Sequence, residues 1–404
     1  MANKKSFNNL DNISDTDFDI MDRLFEKWIP AHCEVWLFGT GVYASSWRHY
    51  MSQCGIAIDG FVVTLPTQTI AVTGEPIIGI DNFKSRYEKD KVGLILTVDS
   101  DFYDELLPKF LYAFCDIFFL KERYKRFAYN RKNHWASGKF EFTFTIVDHC
   151  NLACFSCSTA SPLAKHRFYD FEQFKVELMQ MKRLFGDNLS TLWISGGEPL
   201  LHPQLLDFLR FTRDIMTNRQ TDIKLITNGV LLSRLDDDYY SCFADADVTV
   251  CWTKYPVNYP NIESVFDRLK HFGVKYTFSE DTVDAPKQSA WMGIAEQPTQ
   301  KRWDYLFCQM HNTCLVCKDG KIYHCPVRIS ADNIYSGFQV ETPVRDGDEL
   351  DIFSVKNADE ILEYLSNRPA LCDYCPLRNR RIIGDWRPSR KERGEWLLNT
   401  SEGR

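Results

Sequence analysis

The chain has 404 residues, a formal net charge of −7 and 44% apolar residues. It is too long for one ordinary core, its acidity argues against a nucleic-acid partner, and its composition is that of a folded protein. The polar stretch from Met1 to Asp19 is no secretory signal and no apolar run reaches spanning length, so fourteen cysteines point to reduced thiols and metal in a cytoplasmic protein without a membrane partner.

Two successive runs of alternating strands and helices follow. In the first, Glu34 to Phe38 reads as a buried strand, then Gly39-Thr40-Gly41 and a helix to about Cys54. Ala57 to Val63, Val92 to Val98 and Cys115 to Leu120 are further strands, with a helix from Asp101 to Ala113. Such alternation predicts a parallel sheet flanked by helices. Lys121 to Lys139 is basic and aromatic, lacks periodicity, and reads as an inter-domain connection. From Phe140 the pattern restarts, with strands at Phe142 to Val147, Thr191 to Ser195, Ile223 to Thr227, Val248 to Trp252 and Lys275 to Ser279. Helices are expected between them, at Asp170 to Phe185, Pro203 to Met216, Leu231 to Phe243 and Asn261 to Phe272. This is the repeat that a full or partial (β/α) barrel requires. After Glu280 the pattern degrades, and a cysteine-rich tail runs from Cys308 to Cys375.

The chemistry-bearing residues cluster behind two of these strands. Cys150, Cys154 and Cys157 form a C-x3-C-x2-C triplet after the Phe142 strand, and Ser195-Gly196-Gly197-Glu198-Pro199 ends the next strand. Three thiolates on one tight loop suit three irons of a four-iron, four-sulfur cluster, with the fourth iron left open. The bland alternative is three buried or zinc-bound cysteines. In order and spacing, triplet and glycine turn together resemble the radical SAM superfamily, whose members cleave S-adenosylmethionine (SAM) to a 5′-deoxyadenosyl radical. The resemblance implies that Cys150, Cys154 and Cys157 ligate the cluster and that Gly196, Gly197, Glu198 and Pro199 contact the methionyl amine. It also implies a low-potential electron donor such as flavodoxin or ferredoxin, since comparable clusters sit near about −400 mV. Thr227-Asn228-Gly229 ends the third strand as in family members, and Asn228 is a SAM-contact candidate; locally it reads equally as a left-handed Asn-Gly turn. Thr253 and Lys254 follow the fourth strand, where the family binds the SAM ribose or carboxylate. Lys254, with Glu280 and Asp281 just past the fifth strand, is also a candidate catalytic acid or base. One departure is Ser156, where many members carry an aromatic residue that packs on adenine. The run through Ser158 to Ala164 instead resembles a subgroup tied to bacterial carbohydrate and secondary-metabolite loci.

In the tail, Cys308, then Gly320-x4-Cys325, then Cys372-x2-Cys375 resembles the twitch module, the shorter relative of the SPASM extension. It implies an auxiliary four-iron, four-sulfur cluster on Cys308, Cys325, Cys372 and Cys375, and with it a net oxidation. Cys314 and Cys317 leave two alternatives open: Cys314 in place of Cys308, or a zinc ribbon made with Cys372 and Cys375. Arg378, Arg380, Arg381, Arg387 and Arg390 read as a solvated basic end, and Trp303 and Trp386 as core or lid aromatics.

At the front, Gly39-Thr40-Gly41-x-x-Ala44 matches a dinucleotide fingerprint, but the acid expected at the end of the second strand is missing. Together with Gly74 to Gly79 the stretch resembles small Rossmann-like domains of bacterial sugar-modifying enzymes. It would hold a nucleotide-sugar, serve as a docking module, or keep an empty rim. The expected fold class is therefore α/β: a Rossmann-like domain at 1–134, a radical SAM partial (β/α) TIM-type barrel at 135–295, and a twitch-like domain at 296–404. The expected reaction is hydrogen abstraction from a small molecule, a carbohydrate or nucleotide-sugar. A peptide-modifying enzyme and a zinc-stabilised binding protein are the rival readings.

Overall fold

Apolar runs without a polar face become strands covered on both sides, and the front of the chain is built on them. The computed structural model describes residues 14–86, 92–103, 106, 116–133, 140–217, 220–257, 259–278, 288–290, 292–308, 310–313, 315–341, 347–380 and 382–398. By packing it divides into two compact units, Met1–His134 with Lys301–Cys308, and Trp135–Gln300 with Gln309–Arg404. Among the described residues no helix is long and apolar enough to cross a membrane.

The first unit holds five strands: β1 (Glu34–Phe38), β2 (Gly60–Val63), β3 (Ile77–Gly79), β4 (Val92–Leu96) and β5 (Asp116–Phe119). They form one sheet in the order β3-β2-β1-β4-β5, and every neighbouring pair is parallel. This is the order of a doubly wound sheet, whose growth reverses direction between β1 and β4. β4 is buried at all its positions. The helix Val42–Gln53 follows β1 as expected, whereas most of the expected helix 101–113 lies outside the described residues. The expectation of an irregular connection after Lys121 is corrected: Glu122–Asn133 is a helix. Its buried stripe is Tyr124 and Ala128, four apart, and a charged residue obscured it. Lys125 is fully buried there, donating Nζ to the Val98 carbonyl and pairing with Glu122 at 3.0 Å. The short helical turn Arg302–Phe307 belongs to this unit: Trp303 stacks on Phe25 at 5.1 Å and donates Nε1 to Asp22 at 2.7 Å.

The second unit contains β6 (Phe140–Val147), β7 (Leu189–Gly196), β8 (Asp222–Thr227), β9 (Val248–Trp252), β10 (Lys275–Phe278), β11 (Gln288–Ala290), β12 (Ile294–Ala295), β13 (Leu315–Lys318), β14 (Lys321–Tyr323), β15 (Leu350–Asp351), β16 (Ile382–Asp385) and β17 (Leu397–Leu398). β6 to β10 are parallel neighbours. The first four are each followed by a helix: Phe171–Phe185, Leu205–Ile215, Asp237–Asp245 and Ile262–His271. Phe140, Phe142, Phe144 and Ile146 alternate along β6 and are buried against the helical layer. The tail is not a detached appendage of this sheet. β13 pairs in parallel with the free side of β6, Cys317 opposite Phe144, and β14 and β15 extend it antiparallel to a total of eight strands. Helix Pro326–Gly337 carries a smaller core of Val327, Ile334, Tyr335, Leu371, Tyr374 and Trp396.

Helix Phe171–Phe185 is locked to the sheet by Phe174, whose ring lies 5.2 Å from Phe144 and 4.6 Å from Phe208. Phe174→Ala is expected to cost about 3–5 kcal/mol in urea unfolding of the metal-free chain. A loss below about 1 kcal/mol would show that this contact does not hold the layer.

Candidate active site

The carboxyl ends of β6, β7, β8 and β9 converge on one rim of the second unit. The cysteine loop leaves β6 at Val147 and has no regular secondary structure, so neighbouring turns must fix it. The turn after β7 does so directly. Gly197 N donates to the Val147 carbonyl (2.7 Å) and Glu198 N to the His149 carbonyl (3.1 Å). A Cβ on Gly197 would fall 2.0 Å from the His149 oxygen, so only glycine lets the two backbones meet.

Glu198 is fully buried and joins this turn to the one after β8. Its Oε1 accepts from Leu200 N (3.0 Å) and Thr227 Oγ1 (2.7 Å), and its Oε2 from Asn228 N (2.8 Å). Burial pushes this carboxyl up to about 7, against the lowering effect of those three donors. Both carboxylate oxygens thus hold bonds within the chain. Gly229, at φ +74°, completes the β8 turn, and a Cβ there would fall 1.9 Å from Trp252 Nε1.

From this junction a hydrogen-bond chain runs to the thiols. Asn228 donates Nδ2 to Asn151 Oδ1 at 2.7 Å and approaches Cys150 Sγ at 3.6 Å. The Asn228 carbonyl accepts from Tyr259 Oη (2.9 Å), which accepts from Tyr255 N (2.8 Å). The Tyr255 phenol hydrogen-bonds Cys154, and burial together with Cys154, Cys157 and Cys150 holds it well above the usual tyrosine range. The three thiols are also electrostatic neighbours of one another, and burial pushes Cys150 up to about 12. Metal binding there must displace a proton. Among the described residues, no three His, Cys, Asp or Glu side chains could hold a single metal ion. Thiolates bound to separate irons of a cube stand farther apart than ligands of one zinc, and a set of three thiols on one loop fits such a cluster.

Thr253 N donates to the Thr227 carbonyl (2.9 Å), which puts Thr253 and Lys254 at the same rim. Glu280 and Asp281 lie outside the described residues. Lys318 was not anticipated. The β13–β6 pairing brings it to Asp148 at 2.5 Å, beside a cleft of about 20 Å³ that Thr145, Gly196, Gly197 and Asn333 also line. Tyr255, Tyr259 and Asn151 were likewise missed, although Asn151 directly follows Cys150 and Tyr255 directly follows Lys254.

The tail cysteines fall in different surroundings. Cys325 caps helix Pro326–Gly337 and packs against the small core. Cys372 and Cys375 are joined by a turn (Cys375 N to the Cys372 carbonyl, 3.3 Å), and Arg380 Nη2 lies 2.9 Å from Cys375 Sγ. That contact takes Arg380 out of the basic end expected to be solvated. Cys308 belongs to the first unit. Cys317 is fully buried in the main core, where burial pushes its thiol up. Cys314 lies outside the described residues.

The first unit has a concavity of its own. A cavity of about 440 Å³ opens beyond the ends of β1, β2 and β4, lined among others by Gly41, Tyr43, Thr64, Thr97, Asp99 and Phe102.

Buried Glu198 generates a pH dependence of known sign. Its folded value lies above the ordinary 4.5, so the folded chain holds the proton more tightly and Glu198's share of stability falls as pH rises from 4.5 to about 7. Urea unfolding of the parent and of Glu198→Gln is expected to show a stability difference that shifts against the parent between about pH 4 and about pH 8. A difference that stays constant refutes the assignment.

Comparison with known proteins places residues 144–285 against the model of the Radical SAM superfamily. The probable GTP 3′,8-cyclase of Methanococcus aeolicus is 32% identical over 90 residues, 22% of this chain and 29% of that protein. The GTP 3′,8-cyclase of Thermodesulfovibrio yellowstonii is 31% identical over 102 residues, 24% of this chain and 30% of that protein. The chain thus spans about a third of the length of these curated relatives. Among solved structures, BtrN in complex with AdoMet and 2-DOIA aligns at TM-score 0.38 and 15% identity, covering 64% of this chain and 98% of that one. Streptococcus suis SuiB bound to precursor peptide SuiA aligns at TM-score 0.31 and 13% identity, covering 69% and 82%.

Proposed function

We propose, from the premise that residues 144–285 are a radical SAM domain, that the chain uses SAM to abstract hydrogen from a carbohydrate or nucleotide-sugar. The observation that carries the SAM half is the meeting of three thiols, the Gly196-Gly197 turn and the Asn228 turn on one rim. In this reading Cys150, Cys154 and Cys157 hold three irons. Bound there, such a cluster would supply the one low-potential electron needed for reductive cleavage of SAM and so for hydrogen abstraction from a substrate C–H bond. Everything else is positioning by the chain. The backbone of Gly196 to Pro199 and the Asn228 amide hold the methionyl end, Thr253 and Lys254 the ribose or carboxylate. Glu198 keeps the two turns in register by its three internal bonds. Lys254, Glu280 and Asp281 are the candidates to move a proton at the end of the reaction. Cys325, Cys372 and Cys375 are proposed to hold an auxiliary cluster, which would take up the electron released by a net oxidation. A flavodoxin- or ferredoxin-like protein is the proposed donor. Replacing Cys150, Cys154 and Cys157 together by Ala is expected to lower bound iron by about four per chain and to abolish deoxyadenosine formation under dithionite. A triple variant that still cleaves SAM, or a parent chain that binds zinc instead, removes this reading in favour of the binding-protein alternative.

The substrate half rests on the first unit. Its 440 Å³ cavity lies where the strand order reverses between β1 and β4, the general position of ligands in open parallel sheets. The acid missing from the end of β2 has a counterpart in Asp99, just past β4, which suits sugar hydroxyls. The start of helix Val42–Gln53 suits a pyrophosphate. The full chain is expected to bind a UDP-hexose in calorimetry, and Asp99→Ala to weaken this by about tenfold. The peptide-substrate reading has its own support: Leu65, Ile70 and Val72 are exposed at 82%, 63% and 103% on the connection leading to edge strand β3. A full chain that binds no UDP-hexose but saturably binds an extended peptide favours that rival, and UDP-hexose binding unchanged in Asp99→Ala removes the role given to Asp99.

A further inference from the structure

The Arg387 and Arg390 side chains are exposed, yet the backbone of this basic end is docked on the cysteine loop. Phe155 N donates to the Arg387 carbonyl (3.0 Å) and Ser389 N to the Ala153 carbonyl (2.7 Å), so Cys154 faces Pro388 across an antiparallel bridge. The Arg387 guanidinium covers the Phe155 ring at 3.8 Å. Residues further along anchor this segment. Buried Glu395 accepts from Arg390 N (2.8 Å) and from the Ser389 hydroxyl. Fully buried Trp396 donates Nε1 to the Cys157 carbonyl (3.3 Å), and its own carbonyl accepts from Ile294 N (2.8 Å). Ser156, at φ +46°, accepts from Met292 N (2.8 Å). Trp386, at the other end, packs edge-on to Tyr255 at 5.8 Å, the residue whose phenol bonds Cys154.

We infer that residues 386–396 are a clamp that holds the cysteine loop in its ligating form, with the Ser389 amide and Arg387 as positioning groups. The inference rests on the radical SAM reading of that loop. The glycine turn fixes the loop at His149, its entry; the clamp grips Ala153, Phe155 and Cys157, where two of the three ligands emerge. A loop of irregular backbone keeps three thiolates in register only if both ends are held, because every residue left free must be ordered at an entropic cost.

Two substitutions at one position separate backbone from side chain. Ser389→Pro deletes the N–H given to Ala153, whereas Ser389→Ala keeps it and loses only the hydroxyl. Each full-length chain is reconstituted anaerobically, and two quantities are read: the rate of iron loss to a chelator, and the change that SAM induces in the paramagnetic resonance spectrum of the reduced cluster. Ser389→Ala, which gives up the anchoring bond to Glu395 but keeps the pairing with Ala153, is expected to retain the SAM-induced change, and Ser389→Pro to lose iron about tenfold faster than it and to lose that change. If Ser389→Pro does not fold by circular dichroism, the pair Arg387→Ala and Arg387→Lys carries the test, with impairment in the first and rescue in the second supporting the clamp. Parent behaviour in Ser389→Pro, or in Arg387→Ala where that pair is used, overturns it. A parent chain with no SAM-sensitive signal overturns the functional reading first, and the clamp with it.

Discussion

A single buried carboxylate organises the rim. Glu198 has no access to water and satisfies donors from its own turn and from the turn after β8, while the amide of the same residue grips the carbonyl just before Cys150. Three strand ends are tied through one side chain and its backbone. A buried carboxylate is costly unless its bonds are complete, so the arrangement resists partial loosening: either all three turns are docked or the acid is left uncompensated. The glycines make this possible by removing the side chains that would hold the two backbones apart.

The two units solve ligand placement by one shared rule. Each is built on a run of parallel strands with a concavity beyond their carboxyl ends. In the first, the reversal of strand order opens the space. In the second, loops bearing Cys, Gly and Asn fill the corresponding position. Parallel strands point all their carbonyl ends and loop exits the same way, so chemistry-bearing residues collect on one edge without any further device.

How much of this was legible depended on sequence distance. The alternation of Phe140, Phe142, Phe144 and Ile146 reads directly as a strand, and the Cys loop and glycine turn are contiguous motifs at strand ends. Strand β3 escaped because three residues carry too little periodicity, and helix Glu122–Asn133 because Lys125, a residue type rarely buried, sits on its inner face. The partners of the Cys loop escaped for another reason. Arg387 and Ser389 meet it through backbone pairing, which leaves no mark on residue identity. Lys318 reached the rim only because β13 pairs with β6, a juxtaposition across most of the second unit's sequence. Propensity acts locally, whereas these contacts are decided by topology.

The pairing of β13 with β6 carries a cost during biosynthesis. β6 leaves the ribosome long before Leu315–Lys318, yet until that segment arrives one flank of the sheet offers unpaired amides and carbonyls beside a row of phenylalanines. Closing contacts so distant in sequence is slow, and an open flank of that kind is a template for other chains. Nascent or prematurely terminated copies are thus the form of this protein most in need of a chaperone.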